Sequence, residues 1–100
     1  MRLKPFRIVR PDCRVVVQLE IYEEPEGLVC SVRKLRGRMD LPRGDWLRAV
    51  REEMHKIEAL AKAAGCNEMR CGGRNWGRVL PDYEPLTGVK NGLRKGLHNG

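Results

Sequence analysis

The fold is decided by residues 14–35, which read RVVVQLEIYEEPEGLVCSVRKL. Apolar and polar residues alternate over 14–22 and again over 28–35, and this alternation predicts two half-buried strands. Pro25 and Gly27 lie between the two runs and favour a turn. One register places both apolar sets on the same side of an antiparallel hairpin, and it is therefore the predicted one. It pairs Ile21 with Leu28, Leu19 with Cys30 and Val17 with Val32.

The hairpin needs an apolar cover, and residues 45–64 predict a helix that provides one. Asp45 is a residue type that caps the start of a helix, and Gly65 is one that ends a helix. Glu58 is expected on the solvated side, where its replacement by alanine would be nearly silent. Apolar residues recur at steps of three and four and form one stripe. The stripe consists of Leu47, Val50, Met54, Ile57, Ala61 and Ala64.

Shorter elements are predicted for the rest of the chain. Residues 66–71 indicate a short strand, 76–80 a short helix that Pro81 ends, and 86–97 a glycine-interrupted final strand. Residues 1–13 are expected to form an N-terminal arm or an edge strand. The predicted class is therefore α+β, with the order β-β-α-β-α-β and a mostly antiparallel sheet covered by the long helix.

Length and composition bound the protein to one small domain. A chain of 100 residues, 41% of them hydrophobic, is expected to form a single domain over its whole length. No apolar run is long enough for a transmembrane helix. The first residues also lack the apolar region of a signal peptide. A protein that is neither secreted nor inserted in a membrane is expected.

Positive charge is concentrated in one segment. The chain has 20 basic and 13 acidic residues, a net charge of +7. Residues 31–43 contain five of the basic residues and a single acid, Asp40. Two interpretations stay open: a solvated strand edge and loop, or a surface that recognises an anionic partner. The basic residues are Arg33, Lys34, Arg36, Arg38 and Arg43.

Four cysteines are spaced too widely for a typical zinc site. Structural zinc sites use two close pairs of ligands, whereas only one loosely spaced pair occurs here. His55 and His98 complete no ligand pair. We expect reduced thiols in the core and no bound metal. The cysteines are Cys13, Cys30, Cys66 and Cys71.

Residues 66–83, CNEMRCGGRNWGRVLPDY, resemble a segment of small GNAT-like proteins, which have the acetyltransferase fold and are encoded by tailed bacteriophages. In those proteins a strand that opens with cysteine leads through a glycine-arginine turn into a short helix. The end of the chain, LRKGL at residues 93–97, is similar to their closing strand. The matching residues of the first segment are Cys66, Gly72, Trp76, Arg78, Val79, Leu80, Asp82 and Tyr83.

The resemblance implies a GNAT-like core over residues 14–97 and a function in a phage particle. The expected function is a non-catalytic structural or interaction component, a virion-associated protein located in the virion or the host cytoplasm. Its implied partners are other protein chains of a larger assembly. The predicted partner-binding residues are Arg33, Arg36, Arg38 and Arg43, which place positive charge on the second strand of the hairpin and the loop after it. Residues 33–43 contain no aromatic side chain, which favours a protein partner over a single-stranded nucleic acid.

Two alternatives remain. A small acetyl-CoA-dependent N-acetyltransferase would hold the cofactor pyrophosphate at a glycine loop, for which Lys34, Gly37 and Arg38 are the candidates. Met39 replaces the tiny residue of that loop, and Leu80 occupies the position of the family's catalytic tyrosine, so no catalytic residue and no cofactor are predicted. The second alternative is a basic nucleic-acid-binding module, in which Trp76 could stack on bases.

Overall fold

The computed structural model of the protein describes residues 4–11, 13–40, 43–72 and 80–97. One helix and six strands occur in these ranges. They are β1 (Phe6–Arg10), β2 (Cys13–Glu24), β3 (Gly27–Met39), α1 (Arg43–Ala63), β4 (Cys66–Cys71), β5 (Glu84–Pro85) and β6 (Leu93–Gly96).

The six strands form one mixed sheet in the order β1-β2-β3-β4-β6-β5. The pair β3 and β4 is parallel and the other four pairs are antiparallel. Parallel neighbours need a crossover, and α1 supplies it between these two strands. The predicted GNAT-like order β-β-α-β-α-β is therefore wrong, because three strands precede the helix and three follow it within the described ranges.

The end of the chain accounts for part of this correction. The predicted final strand over 86–97 is replaced by the hairpin of β5 and β6, whose loop spans residues 86–92. Asn91 and Gly88 adopt positive φ there, which an extended strand cannot accommodate. The predicted short helix at 76–80 lies outside the described residues except for Leu80, which is buried and not helical.

The predicted hairpin has the correct faces and the wrong register. Ile21 pairs with Cys30 rather than with Leu28, and Leu19 with Val32 rather than with Cys30, a shift of two residues. Val17 pairs with Leu35 rather than with Val32, a shift of three, because one extra residue, Arg33, lies between Val32 and Lys34 in β3. Glu24 pairs with Gly27, so the turn consists of Pro25 and Glu26 alone. It is shorter than the five residues between the two predicted strands. Because side chains alternate with a period of two, a shift of two leaves the apolar set on the same face.

Helix α1 packs on one face of the sheet, as the core residues show. It begins two residues before the predicted range and ends at Ala63, followed by Gly65 at φ 91°. Ile57 and Ala61 are buried in one cluster with side chains of the strands. Arg10 of β1 ties the helix to the edge of the sheet, with its Nη2 2.7 Å from Glu52 Oε2 and its Nε 3.0 Å from Glu53 Oε1.

A buried polar network joins α1 to the last strand. The hydroxyl of Tyr83 donates to Glu58 Oε2 at 2.6 Å, and Lys95 Nζ donates to Glu58 Oε1 at 3.0 Å. Lys95 also reaches Asp82 Oδ2 at 2.7 Å, and this hydrogen bond lowers the pKa of Asp82. Burial and the bond to Glu58 raise the pKa of the Tyr83 hydroxyl far above its usual value. The expectation that Glu58 lies on the solvated side is wrong, because it is buried.

We predict that Ile57→Asp unfolds the protein. Ile57 is 3% exposed, and an unpaired carboxylate in that position costs several kcal/mol against a total stability of about 5–15 kcal/mol. The matched control is Leu60→Asp on the same helix, where the side chain is 49% exposed. Urea denaturation should show no cooperative transition for the first variant and a near-normal one for the second. Equal midpoints for the two variants would mean that the buried face of α1 is wrongly placed.

We predict that Tyr83→Phe lowers the free energy of unfolding by about 1–3 kcal/mol, because the Glu58 carboxylate then loses a buried donor. Glu58→Ala should destabilise at least as much, since it also leaves the Tyr83 hydroxyl unpaired. Tyr22→Phe is the control, because the Tyr22 hydroxyl makes no hydrogen bond within the described ranges. Thermal denaturation of the three variants measures the difference. A Tyr83→Phe variant as stable as Tyr22→Phe would contradict the network.

Candidate anion-binding face

A β-bulge at Arg33 divides β3 into two halves. Leu19 pairs with Val32, and Gln18 pairs with Lys34, which leaves Arg33 without a partner across the hairpin. An extra residue of this kind shifts the side-chain alternation of one strand relative to its neighbour. Cys30 and Val32 pack toward α1 before the bulge, and Leu35 does so after it.

The bulge decides where the basic side chains of β3 lie. Without it, the alternation through Cys30 and Val32 would continue to Lys34, Arg36 and Arg38, and would direct three cations toward the core. With it, these three side chains lie on the face of the sheet opposite α1, which we call the open face, and all are exposed. The sequence predicts the charge of this segment and does not predict the bulge.

Two neighbouring strands add further cations to the open face. The register places Arg7 of β1, Val16 of β2 and Arg36 of β3 in one row across the sheet. Arg14 and Arg38 belong to the next row. Adjacent strands are about 4.8 Å apart, and rows on one face are about 6.7 Å apart. The resulting set, which we call the basic patch, consists of Arg7, Arg14, Lys34, Arg36 and Arg38.

The basic patch has little internal compensation. Arg38 Nε is 2.8 Å from Asp40 Oδ2, and both side chains are largely exposed, so this pair contributes little to stability. The other four cations have no carboxylate within 4.0 Å among the residues of the described ranges. A surface with four unpaired cations in adjacent rows attracts anions.

The open face of β4 and β6 is balanced instead. Arg70 donates to both carboxylate oxygens of Glu24 and also pairs with Glu68. Arg94 Nη2 is 3.0 Å from the second oxygen of Glu68. The hydrogen bonds that Arg70 donates to Glu24 lower the pKa of Glu24 and raise the pKa of Arg70. The acids on this half of the face are therefore held by arginines.

An aromatic side chain lies beside the bulge on the open face. The guanidinium carbon of Arg33 is 6.0 Å from the centroid of the Tyr22 ring, within the range of a cation–π contact. Arg33 Nε is also 3.5 Å from Glu20 Oε2. Tyr22 is 36% exposed. Sequence reasoning missed this contact because its two residues lie on different strands and meet only through the pairing of the hairpin.

The structure brings together most of the predicted partner-binding residues. Arg33, Arg36 and Arg38 share the open face, whereas Arg43 is the first residue of α1. Arg7 and Arg14 were not predicted, since both come from other strands. Each of them alternates with apolar residues of its own strand, and this spacing could have indicated that it faces away from the core. Their place beside β3 follows only from the pairing of the strands.

The acetyl-CoA candidates lie in a continuous strand and not in a loop that leads into the helix. Lys34 and Arg38 are exposed on the open face, with Gly37 between them. A Cβ at Gly37, which has φ 141°, would lie 2.0 Å from the carbonyl oxygen of Arg14. The close approach of β2 therefore explains the glycine without any phosphate ligand.

A cavity of about 160 Å³ lies between α1 and the sheet, and Arg36 is the one residue of the basic patch that contributes to its lining. Most of its lining is apolar, and its Glu53 carboxylate is already held by Arg10 and Lys56. Its one thiol, Cys71, has its pKa raised to about 11 by burial. It therefore stays protonated and is a poor nucleophile.

All four cysteines are buried and unbonded. Burial is the main cause that raises the pKa of Cys30 to about 11, and it also raises the pKa of Cys66. Within the described ranges no group of three or more His, Cys, Asp or Glu side chains is placed to hold a metal ion.

Comparisons with protein-family models, with curated proteins and with solved structures each found no match. Common ancestry with phage GNAT-like proteins therefore stays a prediction. Among the described helical residues, no segment is both long and apolar enough to cross a membrane.

Deletion of Arg33 tests the bulge. The deletion removes the extra residue and restores a regular alternation, in which Val32 and Leu35 face the helix and the cations stay on the open face, so we expect cooperative unfolding to be retained. Arg33→Ala keeps the backbone length and should change the midpoint of thermal unfolding by only a few degrees. Deletion of Gln18 from β2 is the control, because it turns Leu19 and Ile21 away from the core and should abolish cooperative unfolding. Equal effects of the two deletions would contradict a bulge at Arg33.

Proposed function

We propose that the protein is a non-catalytic binding module that contacts a nucleic acid through the basic patch. One observation carries this proposal: five cations lie in adjacent rows on an exposed sheet face, and four of them have no carboxylate partner in the described part of the chain. Four of the five are arginines, whose planar forks match phosphate oxygens.

Two features favour a nucleic acid over an acidic protein surface. Like charges repeated in rows suit a partner with regularly repeated charge, which a phosphodiester backbone has. The expectation of a protein partner follows from the resemblance to phage proteins, and the absence of aromatic side chains from residues 33–43 adds an argument against a single-stranded nucleic acid. The hairpin places Tyr22 next to Arg33, so this objection to a nucleic acid no longer holds.

The other expected functions have less support. The residues proposed for acetyl-CoA lie in β3, with Lys34 and Arg38 directed away from the cavity. A place in a phage particle stays a prediction, and a nucleic-acid-binding surface is compatible with it.

The double variant Arg7→Gln/Arg36→Gln tests the proposal. We expect at least a tenfold weaker binding to a fluorescent oligonucleotide at low salt. The slope of log K against log salt should fall in magnitude by about 1.4–1.8, since each lost phosphate contact accounts for about 0.7 in single strands or 0.9 in duplexes.

The matched control is Arg48→Gln/Lys90→Gln, which removes the same charge from exposed positions of α1 and of the loop between β5 and β6. It should reduce affinity much less. Equal losses for the two variants would assign the binding to net charge alone. Absence of oligonucleotide binding by the wild-type protein at 50 mM salt would overturn the proposal in favour of an acidic protein partner.

A further inference from the structure

We infer that the nucleic acid bound by the open face is single-stranded and that one of its bases stacks on Tyr22 beside Arg33. This inference rests on the proposed function and adds the class of ligand. It starts from the position of Tyr22, whose ring is on the same face as the basic patch and in contact with an arginine that the bulge leaves without a strand partner.

A continuous path connects the basic patch to Tyr22. The open-face residues of β2 are Arg14, Val16, Gln18, Glu20 and Tyr22, and Gln18 and Tyr22 are about 13 Å apart along the strand. The carboxylate on this path, Glu20, pairs with Arg33, and Glu24 beyond Tyr22 pairs with Arg70. A phosphate backbone that follows β2 from the patch therefore meets no uncompensated acid in these rows.

The chemistry of the ring suits a base. Tyr22 is partly exposed, and its hydroxyl makes no hydrogen bond within the described ranges. Arginine planes and aromatic rings are the groups on which unpaired bases stack. Arg33 is 57% exposed in its side chain and is held near the ring by Glu20, so both stacking groups are positioned before a ligand arrives.

A single strand fits this face better than a duplex does. Duplex bases are already stacked and paired, so their faces are not available to Tyr22. Reading a duplex through its major groove requires a helix or a β-ribbon that enters it. On the open face, the described parts of the chain present a sheet surface with no helix on it.

An exposed tyrosine on a sheet can also be merely a surface residue, and the experiment separates the two roles. Fluorescence anisotropy compares a 12-nucleotide single strand, a duplex of the same length and an abasic 12-mer at 50 mM salt. We expect the wild-type protein to bind the single strand most tightly. Tyr22→Leu should weaken single-strand binding about fivefold or more and leave abasic and duplex binding unchanged. Tyr22→Phe keeps the ring and should retain affinity.

Arg33→Gln is a second variant, which keeps the test decisive if Tyr22→Leu does not fold. It should also weaken single-strand binding more than abasic binding. Equal affinity of the wild-type protein for duplex and single strand would overturn the inference, as would unchanged single-strand binding by Tyr22→Leu. In either case a loss of affinity in Arg7→Gln/Arg36→Gln would still support the basic patch, so the two proposals fail separately.

Discussion

The one-residue bulge at Arg33 is the constraint on which the rest of the structure depends. Strand β3 supplies apolar side chains to the helix side both before and after Arg33, yet its second half carries a cation at every other position. A regular strand could not satisfy both demands, because the alternation that buries Val32 would also bury Lys34. The bulge, which leaves Arg33 out of the pairing, resolves the conflict at the cost of one interrupted pairing. The bulge that directs Leu35 into the core therefore also directs the cations of β3 to the open face.

Contacts far apart in sequence hold the two ends of the sheet to the helix. Arg10 binds Glu52 and Glu53 at one edge, and Tyr83 meets Glu58 near the other. The first contact fixes β1, the strand that contributes Arg7 to the open face. A helix that packs on one face thereby keeps the strand edges aligned, which preserves the spacing of charges on the opposite face.

Local patterns predicted part of this arrangement, and long-range contacts account for the rest. The stripe around Ile57 identified the helix, and the alternation in β2 and β3 identified the faces of the hairpin. No glycine or proline marks Arg33, so the bulge left no local signal. The burial of Glu58 depends on partners 25 and 37 residues away. The grouping of Tyr22 with the basic segment likewise needs the pairing register, which no single stretch of sequence contains.

The four buried thiols have a use that follows from their placement. One cysteine lies in β2, one in β3 and two in β4, each no more than 5% exposed, and none forms a disulfide. A thiol reagent can reach them only when the strand concerned separates from the helix. The chain thus contains natural reporters of opening in three adjacent strands, and pulsed alkylation read by mass spectrometry can compare their opening rates without any added label.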